Sequence, residues 1–446
     1  MRMLVGALWL VLSAGAAIAQ DSGTVIRVEA REVLVPVIVT DSKGHRVTGL
    51  KSSDFHVQED GVDQEIRSFS TDTAPDARAL AALGGVATPP SGGSAVLPHT
   101  FVICLDTLHS SFPNLRGASE ALTRLFEKEK TGTALFSIVA VGRQLQVLAN
   151  ATSDPAALAA RIPSAAFQNR LGGGAAASFT SELNDLKNSL FDMCRRCPAC
   201  GSHSNYHACD SQLQALQTRL DGEAERWNTL TSQMLAQWKA VVEELAKLPG
   251  GRTLVLVSDG FSLQPAREFY AAVSAFVPTD PRFKTAGQAT LQPALEAVMR
   301  SAVAGNVRID AIDSRGIAQP SFSSTGSMDA SAPSDRSAPS VIGRGPSSNR
   351  GGALYSDMDR QAPVVSFQSG SGMEQAARAT GGVYFHGTND LLKPFRSALA
   401  DGREYYLLGY APTNATDDGS YRQITVEVAG KNLQVRAKAG YWAEKK

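Results

Sequence analysis

Two stretches of the chain carry apolar residues with no polar alternation, Phe101-Val102-Ile103-Cys104-Leu105 and Leu254-Val255-Leu256-Val257. Such runs predict strands buried on both faces, as in a parallel sheet covered by helices on each side. Each run delivers an acidic residue at its carboxyl end, Asp106 in Asp106-Thr107-Leu108-His109-Ser110-Ser111 and Asp259 in Ser258-Asp259-Gly260. A third run, Val307-Arg308-Ile309-Asp310-Ala311-Ile312-Asp313, reads as the next buried strand. Helical periodicity separates them: through Ala121, Leu122 and Leu125 to Lys130, after Asp154-Pro155, from Ala266 to Phe276, from Leu291 to Ala304, from Met373 to Thr380, and from the N-cap Asn389 to Ala400. Alternating strands and helices predict an α/β unit over residues 99–402.

The two ends of the chain read differently. Residues 20–71 and 403–446 are rich in short strand-like runs with turns, among them Val33 to Val39, Phe55 to Glu59, Tyr405 to Tyr410, Ile424 to Val428 and Leu433 to Ala437. Pro36 lacks a ladder donor, which predicts an edge or a bulge at that point. Neither end has strands enough to stand alone, so the two are expected to pair into one β-sandwich with the α/β unit inserted between them. Residues 72–98 shift to Ala, Gly, Pro and Ser and read as a linker. Residues 314–369 have few large apolar side chains and read as a disordered insertion.

A second insertion, over 179–250, carries a seven-residue repeat: Leu213, Leu220, Trp227, Met234 and Val241, with Ala224, Trp238 and Leu245 on companion positions. This predicts a long helix, with Asp221-Gly222 as a candidate break, and Leu183, Leu186, Leu190 and Phe191 on a shorter helix packed against it as a hairpin. Cys194, Cys197, Cys200 and Cys209 cluster at its apex with His203 and His207. Three chemistries suit them: two disulfides, a structural Zn²⁺ on the Cys-x-x-Cys spacing, or a redox Cys197-Pro198-Ala199-Cys200. Cys104 reads as a small core residue.

Arg2, the apolar run Met3 to Leu12 and the small residues Ala17-Ile18-Ala19 predict a secretory signal peptide over 1–19, with export to the periplasm or beyond. That compartment favours disulfides in the Cys cluster. No later stretch is long and apolar enough to predict an integral membrane span. With 43 basic against 43 acidic residues, charge provides no case for nucleic acid or an anionic membrane. No Gly-x-Ser-x-Gly elbow, His-Glu-x-x-His pair or phosphate-cradling Gly-Lys-Ser/Thr loop is present, which removes the commonest hydrolase and nucleotide signatures.

In an open α/β sheet, ligands bind beyond the carboxyl ends of the strands, and two carboxylates with hydroxyls beside them suit Mg²⁺ or Mn²⁺. These residues resemble the von Willebrand factor A domain, whose metal-ion-dependent adhesion site is written Asp-x-Ser-x-Ser, with a Thr and an Asp from later loops. Asp106 and Ser110 match its first and last positions, and Asp259 matches its last loop. Leu108 stands at the middle Ser, and Leu171-Gly172-Gly173-Gly174-Ala175 lacks the expected Thr, for which Thr180 is a substitute. The site is therefore a degenerate one.

The ordered set Leu34 to Asp41, Gly49-Leu50 before Asp54-Phe55, Leu248-Pro249-Gly250, Asp310 to Asp313, Thr380-Gly381-Gly382 and Tyr405 to Tyr410 is similar to the secreted bacterial VWFA-related family of acidobacterial type. The resemblance implies export and a Rossmann-like A domain, with a central, mostly parallel sheet and helices on both faces, but no reaction. The expected function is binding of a protein partner at the top face, with Asp106, Ser110 and Asp259 on a metal and His109, Ser111 and Phe261 towards the partner. A structural or assembly protein with a vestigial site is the competing expectation, and a metal-assisted hydrolase a third.

Overall fold

The computed structural model describes residues 32–70, 99–130, 134–172, 179–196, 209–278, 280–283, 290–316 and 371–444. The expected signal peptide, the linker, Cys197, Cys200 and nearly all of the Ser-rich insertion lie outside them. Alternation decides the first strand, β1 (Val33–Thr40): Val33, Val35, Val37 and Val39 enter one apolar core, and the residues between them face the other way. β2 (Phe55–Glu59), β3 (Val62–Gln64) and β4 (Ile66–Ser70) follow. The chain then forms β5 (His99–Asp106), α1 (Phe112–Phe126), β6 (Ala134–Val141), β7 (Gln146–Thr152), α2 (Pro155–Arg161) and α3 (Ala165–Gly172). Next come α4 (Phe179–Cys194), α5 (Asp210–Ala246), β8 (Arg252–Ser258), α6 (Pro265–Phe276), α7 (Gln292–Ala304) and β9 (Arg308–Asp313). The remainder is α8 (Ser371–Thr380), β10 (Tyr384–Phe385), α9 (Leu392–Arg403), β11 (Tyr406–Tyr410), β12 (Tyr421–Val428), β13 (Gln434–Ala437) and β14 (Gly440–Trp442).

The six-stranded sheet has the order β10-β9-β8-β5-β6-β7, parallel throughout except for β7 at one edge. Phe101, Ile103 and Leu105 point to the face covered by α1, α2, α3 and α9, whereas Val102 and Cys104 point to the face covered by α5, α6, α7 and α8. Both faces are thus dry, which is why these strands show no polar alternation. Helix starts follow local chemistry: the Ser111 hydroxyl accepts from Asn114 N at the head of α1, and the Asp154 carboxylate accepts from Ala157 N at the head of α2. Asn389 does not cap α9. Its side chain lies against Gly316, and Asp390 Oδ1 accepts from Leu392 N instead.

The terminal segments interleave in two four-stranded antiparallel sheets, β13-β1-β11-β4 and β14-β12-β2-β3, which share one core. A buried carboxylate anchors that core, since Glu59 Oε2 accepts from Tyr410 at 2.7 Å and from Tyr441 at 3.0 Å. β1 is flanked on both sides, yet β13 pairs only with Val37–Thr40, so Pro36 has a neighbouring strand on one side alone. The missing N–H therefore costs no ladder bond with β13.

The seven-residue repeat becomes a single helix, and Asp221-Gly222 does not break it. Leu213, Leu220, Trp227, Met234 and Val241 are all buried in the main core, so the seam packs inside the molecule. Glu182 of α4 reaches across to it, accepting from Trp227 Nε1 at 2.6 Å and Arg226 Nη2 at 2.5 Å, and Phe179 stacks edge-on against Trp227. Cys194 closes α4 and Cys209 precedes α5, and neither is a free thiol. Cys104 is free and buried, its thiol pushed up first by burial and then by the nearby Asp106 charge. No helix among the described residues is long and apolar enough to cross a membrane.

Candidate functional site

Because β5 and β8 are parallel neighbours, their carboxyl ends lie side by side and bring Asp106 and Asp259 into one network. Ser258 Oγ donates to Asp106 Oδ2 at 2.6 Å, and Asp259 N donates to Ser110 Oγ at 3.0 Å. The Ser-Asp-Gly turn depends on Gly260, whose φ of 87° is one that L side chains rarely adopt.

Asp106 is 1% exposed and fully engaged. Its Oδ1 accepts from Leu108 N and His109 N, at 2.9 and 3.0 Å, while Oδ2 accepts from Ser258 and from His109 Nδ1 at 3.0 Å. A carboxylate only accepts, so Nδ1 carries the proton. Burial by itself would raise the Asp106 carboxyl, but the His109 charge and the hydrogen bonds from His109 and Ser258 hold it below its ordinary value.

His109 was expected at the surface towards a partner and is instead 4% exposed. Its Nε2 lies 3.1 Å from Thr231 Oγ1 on α5, and its ring packs between Trp227 and Phe261. Phe261, expected to face a partner, is 1% exposed against Trp238. The helical insertion causes both corrections, because α5 covers this flank of the strand ends with apolar surface. Carboxylate, imidazole and hydroxyl stand in the order of a nucleophilic triad, but Thr231 is 0% exposed and no substrate can reach it.

Asp259 is partly exposed and accepts one hydrogen bond fewer. Oδ2 accepts from Ser111 N at 2.9 Å and Asn114 Nδ2 at 2.8 Å, and Oδ1 accepts from Ser314 Oγ at 2.7 Å. Burial raises its carboxyl above the ordinary value, the Asp313 charge adds to this, and the bonds from Ser111, Ser314 and Asn114 offset only part of it. Beside it Arg315 pairs with Asp313 at 2.6 Å, and Tyr384 donates to the same carboxylate at 3.2 Å. Ser314 and Arg315 belong by sequence to the expected disordered insertion, yet both hold fixed contacts directly after β9. Their signal was positional: they follow directly on a buried strand ending in Asp313.

Most of the donor set is engaged in protein hydrogen bonds. All four oxygens of Asp106 and Asp259 already accept protein hydrogen bonds, Ser110 Oγ is held by Asp259 N, and the buried Leu108 offers no oxygen where a hydroxyl would be needed. Among the described residues, no group of three or more His, Cys, Asp or Glu side chains is placed to hold a metal. Thr180 lies in the first turn of α4, and its side chain is outside the described residues. Ser258, absent from the sequence-derived site, bridges Asp106 and Gly260 N. Ser258→Ala is expected to cost about 1–3 kcal/mol, read as a lower urea midpoint with an unchanged m-value.

Fold and site together define a mixed α/β protein with a mostly parallel, helix-flanked sheet whose two central strands end in hydrogen-bonded carboxylates. No family model and no curated protein matches the chain. Solved structures similar to it include an aerotolerance-related membrane protein from Bacteroides fragilis, at 10% identity and a TM-score of 0.29, covering 68% of this chain and 97% of that one. The conserved hypothetical protein BatB from Bacteroides thetaiotaomicron matches at 11% identity and a TM-score of 0.27, with the same coverage of 68% and 97%. The pilus adhesin SpaC from Lactobacillus rhamnosus GG, in an open conformation, matches at 7% identity and a TM-score of 0.30, over 89% of this chain and 48% of that one.

Proposed function

We propose that this chain is an exported, non-enzymatic binding protein of von Willebrand factor A type, which engages a protein partner at the carboxyl edge of its parallel sheet without a metal ion. In this reading the A domain is inserted into a sandwich made of the two antiparallel sheets, and the four clustered cysteines staple the α4–α5 arm as disulfides. The observation that carries it is the closed network at the strand ends, in which hydrogen-bond donors and the His109 ring satisfy the carboxylates that a cation would otherwise hold. Such a network stiffens the edge and leaves its rim for contact. The rim combines apolar and polar groups: Pro113 and His386 are exposed, and Phe112, Arg315 and Tyr384 are half-buried. An assembly role through the arm is less well supported, because its repeat seam is spent inside the molecule.

The test is a photo-crosslinker placed at Pro113 in the native host. A discrete protein adduct that survives excess EDTA and disappears in Arg315→Glu is the expected result. An adduct that requires added Mg²⁺ or Mn²⁺ would overturn the metal-free reading. Turnover of ester, phosphate or peptide substrates by the wild type that is lost in Asp259→Ala would overturn the non-enzymatic one.

A further inference from the structure

At the opposite end of the parallel sheet, where the strands begin, the antiparallel unit meets the α/β unit across a cavity of about 70 Å³. One wall is apolar: Leu34, Pro36, Ile38 and Leu407, the outward positions of β1 and β11. The other includes His99, Arg252, Arg308 and Asp401. That volume holds several waters or one small ligand.

Charge around it is unbalanced. Asp401 is shared by three guanidiniums, those of Arg46, Arg308 at 3.1 Å and Arg436 at 2.7 Å, and Arg308 also pairs with Asp310 at 2.5 Å. Among the described residues Arg252 meets only neutral acceptors, the carbonyls of Ala246, Gly250 and Gly305. Among the described residues, four guanidiniums therefore face the carboxylates of Asp310 and Asp401, with the exposed Glu404 a third beside Arg46. Buried behind Gly381, Lys438 adds a further cation whose side chain meets only the Asn306 amide oxygen, at 3.4 Å, among the described residues. Burial foremost, then the charges of Arg436 and Arg308, lowers Arg46 to about 10, with Glu404 and Asp310 offsetting only part of it.

Hydrogen bonding is incomplete as well. Arg252 Nη2 and Arg308 Nη1 have no acceptor among the described residues. Buried His99 Nδ1 has no hydrogen-bonding partner of either kind there, and Asp401 Oδ2 and Arg436 Nη1, though close, do not meet at a hydrogen-bonding angle. Arg252 Nη2 and Arg308 Nη1, neither of them fully buried, thus keep N–H donors that a bound acceptor can take up, and Arg436 Nη1 is a buried donor left unmet beside them.

We propose that this cavity is a second binding site, which takes a small carboxylate with a short apolar body, its head on Arg252 and Arg308 and its body against Leu34, Pro36, Ile38 and Leu407. A planar carboxylate matches the guanidinium fork, and the apolar wall disfavours a fully hydrated anion such as phosphate. The site is independent of the partner-binding edge, which lies beyond the other ends of the same strands.

The test is calorimetric titration of the purified chain with butyrate, its neutral isostere butyramide, and inorganic phosphate. Butyrate is expected to give a saturable isotherm, with butyramide and phosphate at least about tenfold weaker. Arg252→Met is expected to weaken butyrate by about tenfold or more. Since Arg252 also ties down helix ends, Pro36→Glu serves as the second variant: it sacrifices no backbone donor and puts a competing carboxylate on the apolar wall. Loss of butyrate binding in Pro36→Glu at unchanged melting temperature supports the site. Absence of a saturable butyrate isotherm, equal affinity for butyramide, tighter phosphate binding, or butyrate affinity unaltered by Pro36→Glu would each overturn it.

Discussion

Replacing Asp106 by alanine is expected to cost roughly 3–5 kcal/mol, the largest single loss at the strand ends. The substitution strands the Leu108 and His109 amides, the Ser258 hydroxyl and the His109 ring in a site that water does not enter. A buried donor left without an acceptor costs more than an average hydrogen bond contributes. His109→Leu should cost less, and the double variant should fall short of the sum by about 1–3 kcal/mol, because both substitutions break the same contact. Urea denaturation of the four proteins of that cycle measures it. A loss below about 1 kcal/mol in Asp106→Ala would show that the carboxylate is not the anchor proposed.

The sign of the acid response follows from the same network. The folded Asp106 carboxyl lies below its ordinary value of 3.8, so its contribution is complete above that pH and is lost as pH falls through the lower folded value. Acid sensitivity confined to that range, and diminished in Asp106→Asn, is the corresponding observation.

Glu268→Gln should act in the opposite direction and stabilise the protein. Glu268 is 5% exposed, and among the described residues neither of its carboxylate oxygens meets a donor at full hydrogen-bonding geometry, Ser262 being the nearest approach. Burial raises its carboxyl to about 7, with Ser262, Lys187 and His109 offsetting only part of the effect. The unfolded chain ionises from an ordinary value of 4.5, so between about 4.5 and 7 the folded protein holds a proton that the unfolded one has released. Stability therefore falls across that window as pH rises. The charge-free amide removes the penalty, for a gain on the order of 3 kcal/mol at pH 8 and little change at pH 4. Melting temperatures of both proteins at the two pH values decide it; a variant no more stable than wild type at pH 8 would refute the assignment. Lys187, itself lowered by burial and raised by the Glu268 charge, should then titrate lower in the variant.

Residues that pack on both faces of a sheet, or along one helix face, announced themselves in the chain. The runs at Phe101 and Leu254 became central strands, the seven-residue repeat became α5, and the alternation of Val33 to Val39 became β1. Periodicity is local, and burial on a face repeats with the backbone. Side-chain destinations at the site were less legible. His109 and Phe261 stand in polar loops beside acidic strand tips, which read as surface, but α5, more than a hundred positions after His109 and shortly before Phe261, packs over both. Asn389 reads as an N-cap and is drawn instead to Gly316, across a stretch outside the described residues.

By itself, the sequence determined which segments are strands and helices, that the central sheet is covered on both faces, and that Asp106 and Asp259 close two of its strands. These follow from apolar spacing and from the short reach of turns and caps. Only the tertiary structure decided what the two carboxylates do, because Ser258 reaches Asp106, and Asn114 and Ser314 reach Asp259, from distant elements, while Thr231 fixes the far side of the His109 ring, all brought within hydrogen-bond range by packing alone. The imbalance of cations at the opposite end has the same origin: Arg46, Arg252, Arg308, Arg436 and Lys438 are scattered along the chain, and become a cluster only where the antiparallel sheets close against the parallel one.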